Sequence, residues 1–255
     1  MSDEPYTDAF LYDLEFDGFD EDVVYYVELA KVLAAERPVI ELGCGTGRLA
    51  LPLARAGLPT VGIDRAGAMV DRLDVKLEQE PGEVRARLEV VRGDYRTWSP
   101  PKPASVVLWP FNALHHLDGP AALTAMLARI RSWTCPRGVL ALDAYLPDPE
   151  LYGTDPDRRY EPREFVDPHS GERIESWEQG WWDAEAETTH IVQAYRRPDG
   201  SERRVHLVLR MFTHDQLLTS IRDAGWQLVA EYGDFTGTAL TPDSLKWVAQ
   251  LINPG

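Results

Sequence analysis

A chain of 255 residues, 44% hydrophobic and with no run approaching the roughly 18 apolar residues of a membrane span, suits one α/β domain carrying an insertion. Its net charge of −16, with eleven acids against the single Lys31 in residues 1–36 and only scattered arginines elsewhere, disfavours nucleic-acid binding, which neutralises phosphates with Lys and Arg. Two cysteines, Cys44 and Cys135, lack CxxC partners and argue against a disulfide framework or zinc cluster, and the acidic opening Met1–Pro5 lacks a signal peptide's basic and apolar regions, so a cytoplasmic protein with no membrane partner is expected.

Residues 1–36 hold Tyr6, Phe10, Tyr12, Phe16, Phe19, Tyr25 and Tyr26 among their acids. They suit a helical segment packing aromatic rings on the core, or a lid over a cationic ligand whose rings act by cation–π attraction; the two readings are compatible. Pro38 to Leu42 is a short apolar strand that runs into a glycine-rich turn, and Arg48 to Ala56 reads as a helix stopped by Gly57. Pro59 to Ile63 is a second strand ending at Asp64, followed by a helical pattern from Ala66 to Glu80 that Pro81-Gly82 stops. A third strand, Leu88 to Val91, ends at Gly93-Asp94. Beyond a proline-rich loop come a fourth strand, Ala104 to Trp109, a helix, Leu117 to Trp133, and a fifth strand, Gly138 to Asp143. Apolar strands alternating with helices predict a parallel sheet covered on both faces.

The pattern then changes. Residues 147–172 read as a Pro-, Asp- and Arg-rich loop. Ile174–Trp182, Thr188–Arg196 and Arg203–Phe212 show partial period-two alternation, with a turn at Pro198-Asp199-Gly200. Residues 147–210 are therefore expected to form an antiparallel β insertion. A helix from Thr213, as N-cap, to Ala224 and two strands, Trp226–Tyr232 and Leu245–Ile252, complete the chain. The division expected is an N-terminal lid over 1–36, a core over 37–146 and 211–255, and the insertion over 147–210.

The strongest chemical signal is Glu41-Leu42-Gly43-Cys44-Gly45-Thr46-Gly47, which follows a strand and opens a helix. Its spacing is G-x-G-x-G; the dinucleotide fingerprint places its third glycine one residue later, where Arg48 stands, and no P-loop lysine follows. Glycines here let the backbone approach a ligand closely. Asp64, 17 positions after Gly47, can accept hydrogen bonds from ribose hydroxyls, and Asp94 can accept from an adenine amino group. Three strand-end features in order mark the crevice where open α/β sheets bind ligands.

With these residues the sequence resembles the class I S-adenosylmethionine-dependent methyltransferases, of the bacterial small-molecule type. The resemblance rests on Val39 to Arg48, on Val61 to Asp64 with Met69 beyond, on Arg92-Gly93-Asp94, and on Phe111 to Leu117. The first three segments are specific for the cofactor; Phe111 to Leu117, and Gly225-Trp226 with Tyr232 to Phe235 at the tail, are weaker matches. It implies a seven-stranded sheet in the order 3-2-1-4-5-7-6 with the last strand antiparallel. It also implies a cofactor site of Tyr12, Glu41, Gly43, Cys44, Gly45, Gly47, Asp64, Arg65, Met69, Gly93, Asp94, Tyr95, Trp109 and Phe111. The run Arg65-Ala66-Gly67 departs from the family in lacking a serine to cap the next helix. The Asp/Asn-Pro-Pro-aromatic motif of amino-group methyltransferases on bases is replaced by Trp109-Pro110-Phe111-Asn112, and no metal ligand set is recognised.

His115-His116 follows the fourth strand, where an acceptor should sit, and similar loops in phosphobase methyltransferases carry histidine there. By that likeness His116 is the first candidate for general base, His115 the alternate, and Tyr12 a hydrogen-bond partner; both histidines can equally be structural. Asn112, Trp177, Trp181 and Trp182 are candidates for binding the substrate, although the tryptophans suit the core of the small sheet as well. The expected function is in-line methyl transfer to the oxygen or nitrogen of a small molecule. A non-catalytic S-adenosylmethionine-binding protein and a methyltransferase acting on a protein are the alternatives. The insertion is expected to cap the acceptor or to make a subunit contact, as in a homodimer.

Overall fold

The computed structural model describes residues 6–16, 18–34, 37–148, 150 and 157–255. The opening Met1–Pro5 and residues 151–156 of the expected loop lie outside the described residues. Two helices, α1 (Ala9–Phe16) and α2 (Glu21–Leu33), precede the sheet. Then come β1 (Val39–Leu42), α3 (Ala50–Arg55), β2 (Thr60–Asp64), α4 (Gly67–Glu78), the short α5 (Gly82–Arg85) and β3 (Leu88–Arg92). They are followed by β4 (Ala104–Trp109), a 3₁₀ turn (Ala113–His116), α6 (Pro120–Trp133) and β5 (Thr134–Tyr145). The insertion holds β6 (Tyr160–Val166), β7 (Arg173–Asp183), β8 (Thr188–Arg196) and β9 (Glu202–Arg210). The chain closes with α7 (His214–Asp223), β10 (Gln227–Tyr232) and β11 (Lys246–Ile252).

The main sheet runs β3-β2-β1-β4-β5-β11-β10. Counted within that sheet, this is the expected 3-2-1-4-5-7-6, and β11 lies antiparallel to both β5 and β10. The central strands are buried on both faces. Ile40, Leu42, Val107, Trp109, Leu140 and Leu142 pack with Leu123, Met126, Leu127 and Ile130 of α6 and with Leu217 and Ile221 of α7. On the opposite face Val39, Val106, Leu108 and Ala141 meet Tyr26, Val27 and Ala30 of α2 and Leu49 and Leu53 near α3. Continuous apolar strands follow from this two-sided burial. Among the described residues, no helix is long and apolar enough to cross a membrane.

Two local differences from the sequence reading have physical causes. Residues 160–166, expected to be loop, form β6 at the edge of the four-stranded sheet β6-β7-β8-β9. Pro162 and the neighbouring charges obscure the alternation, and an edge strand tolerates both; the register with β7 slips between Tyr160 and Arg163, around that proline. The helix expected from Leu117 begins at Pro120, because Gly119 at φ 150° breaks the path and proline fits the first helical position. The start of α4 has no side-chain cap, as the missing serine implied, and the backbone N–H of Ala66 donates instead to Asp64 Oδ1 at 2.7 Å. The capping box at Thr213 and Gln216 opens α7 as expected.

Candidate active site

The carboxyl ends of β1, β2, β3 and β4 meet at one edge of the sheet and open into a cavity of about 640 Å³. Its floor is the glycine turn. Gly43 and Gly45 have φ of 76° and 53°, and a Cβ built on Gly45 would meet nothing within 4 Å, so the turn leaves open space against the backbone. The Gly45 N–H donates to Asp64 Oδ2 at 2.9 Å, which couples the turn to the end of β2. Burial raises the Asp64 carboxyl above its usual range against these backbone bonds. Asp94, at the end of β3, is held by the Arg96 guanidinium and backbone N–H, and Arg96 lowers its carboxyl. Glu41 is buried, its Oε2 has no hydrogen-bond partner, and burial pushes it up to about 8. A buried carboxylate without a donor in a cavity wall is costly unless a ligand supplies one.

The loop after β4 forms the opposite wall. Phe111 and Asn112 both lie in the left-handed region, at φ of 57° and 58°. Asp143, fully buried near the end of β5, holds them there: its Oδ1 accepts from the Phe111 N–H at 2.8 Å and its Oδ2 from the Asn112 N–H at 3.1 Å. The Tyr26 hydroxyl also donates to Asp143, at 2.7 Å, and Lys246 stands 3.6 Å away. Asn112 Oδ1 is buried without a partner. The next two side chains of interest differ in role. His115 is buried, its Nδ1 donates to the Arg210 carbonyl at 2.7 Å, and its Nε2 accepts from the Tyr145 N–H at 3.1 Å. Both nitrogens are engaged and burial pushes the ring down to about 4, so His115 is a neutral strut between the loop and the insertion. His116 lines the cavity, and its Nε2 lies 2.8 Å from the Tyr6 hydroxyl. Burial and then the Arg65 charge lower its pKa.

Helix α1 closes the cavity from the side. Tyr12 and Phe16 face inward, with Phe16 5.3 Å from the Phe111 ring, while Asp13 on the other face pairs with Arg72 and Lys76 of α4 at 2.7 Å each. Burial raises the Tyr12 hydroxyl to about 12. Arg48, the residue after the glycine turn, makes a two-point bond to buried Asp22 at 2.6 Å each, donates to the Phe19 carbonyl, and lies 4.3 Å over the Phe111 ring. This one arginine joins the glycine turn, the N-terminal segment and the β4 loop. The roof is the inner face of β8 and β9, from Thr189 to Tyr195 and from Arg203 to Leu209.

Of the expected site residues, Tyr12, Glu41, Gly43, Cys44, Gly45, Asp64, Arg65, Met69, Asp94, Tyr95, Phe111, Asn112 and His116 share this cavity. Gly47, Gly93, Trp109 and His115 stand outside it. Gly47 packs against Leu51 and Leu73, and Trp109 is core. Trp177, Trp181 and Trp182 do not line it either. Trp177 is buried between the Arg159 and Arg196 guanidinium groups, at 4.0 and 4.9 Å, and Trp181 stacks on His190 at 4.6 Å, because both occupy the face of β7 turned away from the roof. The partner of His116 is Tyr6 rather than Tyr12. Sequence reasoning missed Asp143, whose position at a strand end was its only signal, and Arg48, which had been given no role in the site.

A methyltransferase-domain family profile matches residues 39–138. Among curated proteins no sequence matches the chain. Similar solved structures include the CcbJ methyltransferase from Streptomyces caelestis, at 24% identity over 98% of each chain and a TM-score of 0.81. The amino pentose methyltransferase CalS10 from Micromonospora echinaspora is 21% identical over 97% of this chain and 92% of its own, with a TM-score of 0.66. The glycopeptide N-methyltransferase MtfA is 18% identical over 92% of this chain and 95% of its own, with a TM-score of 0.60. The profile falls on the glycine turn and both strand-end aspartates, and the solved structures share the sheet that presents them: residues 39–138 match a methyltransferase domain, and the chain has the fold of the class I methyltransferases.

Proposed function

We propose that the chain is an S-adenosylmethionine-dependent methyltransferase that acts on a small molecule, at oxygen or nitrogen, inside the cavity between the sheet edge and the insertion. The observation that carries the reading is the enclosure of that space: α1 flanks it and β8–β9 roof it, and a cavity of about 640 Å³ shared between cofactor and acceptor suits a small acceptor better than a folded protein.

The residues present fit the cofactor. Glu41, with its unpartnered buried oxygen, suits the ammonium of the methionine part; the open backbone at Gly43 and Gly45 suits its close approach; Asp64 and Asp94 suit the ribose and the adenine amino group. S-Adenosylmethionine supplies an electrophilic methyl group on a sulfonium. The chain's part is to align the acceptor, exclude water and hold its proton. Tyr6, Tyr12, Phe16 and Phe111 wall the space with rings that favour a cationic neighbour and keep water out. His116, kept neutral by burial, takes the acceptor's proton at Nε2 when the Tyr6 hydroxyl gives up its place there, or through that hydroxyl. Asn112 Oδ1, buried and unpartnered, accepts a hydrogen bond from the acceptor and so orients it.

The test is transfer of labelled methyl from S-adenosylmethionine into a fractionated cell extract. Label in the metabolite fraction is expected. Label confined to protein would sink the small-molecule reading and leave the methyltransferase assignment standing.

A further inference from the structure

The roof of the cavity is graded. Its inner face is built from cross-strand rows set by the register of β7, β8 and β9: Ser176–Tyr195–Arg203, then Glu178–Gln193–Val205, then Gly180–Ile191–Leu207, then Trp182–Thr189–Leu209. Alternate residues share a face, so each row is about 7 Å from the next along the strands. The first two rows are polar. Apart from Val205 their cavity-lining members carry polar groups, whereas in the last two rows the lining members are Ile191, Leu207 and Leu209 with Thr189 as the one polar side chain, and Met211 lies beyond.

Glu15 of α1 meets the polar rows. It is 9% exposed, and the donors around it stand far off: Ser176 Oγ at 3.2 Å, Gln193 Nε2 at 3.4 Å and Arg163 Nη1 at 3.5 Å, with the Tyr195 hydroxyl also facing it. Gln193 makes its better bond elsewhere, to Ser176 at 2.7 Å. Charge-assisted bonds to a carboxylate are normally 2.7–2.9 Å, as an approximate range, so this buried carboxylate is poorly solvated by the protein. Carboxylates also outnumber cations over the cavity as a whole: among the described residues that line it, seven Asp and Glu side chains face five arginines, with Glu15 and Glu178 on the side of the roof's polar rows.

We propose that the methyl acceptor is an amphipathic amine, whose ammonium group is held at Glu15 while its apolar body lies on Ile191, Val205, Leu207 and Leu209. The inference rests on the small-molecule reading above and narrows it to a substrate class. A cation at Glu15 completes a carboxylate that the fold has already desolvated, and the apolar rows reward carbon surface that water would not. An anionic acceptor of the same shape meets Glu15 and Glu178 with like charge.

Titration calorimetry at pH 7.5 on the full chain, saturated with S-adenosylhomocysteine, tests this with octylamine, butylamine and octanoate as probes. Octylamine is expected to bind at least about tenfold tighter than octanoate and to gain about threefold per added methylene over butylamine. Glu15→Gln should erase the amine preference and Leu207→Asn the chain-length gain. Equal affinities, tighter octanoate, or binding by neither eight-carbon probe overturns the proposal. If Glu15→Gln fails to fold, the ranking in the unaltered protein decides alone. Binding of S-adenosylhomocysteine, measured first in the same samples, reports separately on the methyltransferase assignment.

Discussion

The Tyr6 hydroxyl and Nε2 of His116 lie 2.8 Å apart, joining two residues 110 positions distant in the chain. With Nε2 unprotonated, the hydroxyl donates to it and favours the neutral imidazole, in the same direction as burial and the nearby Arg65 charge. The group's pKa in the folded protein is thus below 6.5, and the base form is lost only as pH falls through that lowered value. Turnover should show an acidic limb with its midpoint below about 6.5. His116→Ala should abolish the limb and lower kcat by roughly 10²–10⁴. Tyr6→Phe should retain it and move it upward. An unchanged pH–rate profile in His116→Ala would remove His116 from proton transfer.

Two glycines of one turn should fail in different ways. A side chain at Gly45 projects into open space, whereas one at Gly47 drives into Leu51 and Leu73. Gly45→Val should fold with a loss of about 1–2 kcal/mol for its left-handed backbone and lose S-adenosylhomocysteine affinity by about 100-fold or more. Gly47→Val adds overpacking of about 1–3 kcal/mol to the same strain and should show its damage in thermal unfolding. Equal cofactor affinity in Gly45→Val and the unaltered protein would count against the floor of the site.

Cofactor binding should release a proton. Burial pushes Glu41 up to about 8 in the free protein, and an ammonium beside it favours the charged form. Affinity for S-adenosylmethionine should therefore rise with pH between about 6 and 8, by at most about tenfold per unit, and flatten in Glu41→Gln. Calorimetry in buffers of different ionisation enthalpy reads the proton directly; no difference between Glu41→Gln and the unaltered protein would show that Glu41 does not meet the ammonium.

The tryptophans of the insertion should report on stability. Trp177→Ala removes a buried indole held between two guanidinium groups and should cost about 3–5 kcal/mol, read from denaturant unfolding. Trp181→Ala, on a half-buried ring, should cost less. Neither should alter S-adenosylhomocysteine affinity by more than about twofold. A large affinity loss in a folded Trp181→Ala would mean that the insertion's outer face communicates with the cavity.

Asp143→Ala strands the Phe111 and Asn112 N–H groups and the Tyr26 hydroxyl, at about 1–3 kcal/mol for each unsatisfied group. Asp143→Asn keeps one acceptor oxygen and should recover part of the loss. If the change acts through the loop, crystal structures of folded Asp143→Asn should show altered backbone at residues 111–112, with kcat falling more than cofactor affinity.

Much of this was legible along the chain. β1 to β5 are apolar runs, and the glycine turn, Asp64 and Asp94 each stand at a strand end, so local pattern and order define the sheet edge. What was not legible depends on contacts made across the fold. Which tyrosine meets His116 is set by how α1 lands on α4 and the insertion, not by any spacing among the tyrosines. The faces of Trp177 and Trp181 depend on the register of β7, and a period-two pattern with aromatic residues at both parities does not identify the buried side. β6 is an edge strand with a proline, where alternation is weakest.

Asp143 grips residues 111 and 112 by their peptide N–H groups and leaves their side chains untouched. Shape and chemistry at the acceptor wall are thereby separable. Exchanging the ring at 111 or the amide at 112 alters what the wall offers while the two hydrogen bonds still bend the chain, provided the newcomer tolerates a left-handed backbone. A loop fastened in this way can be recruited to new acceptors by changing one or two side chains, without rebuilding the strand that carries it.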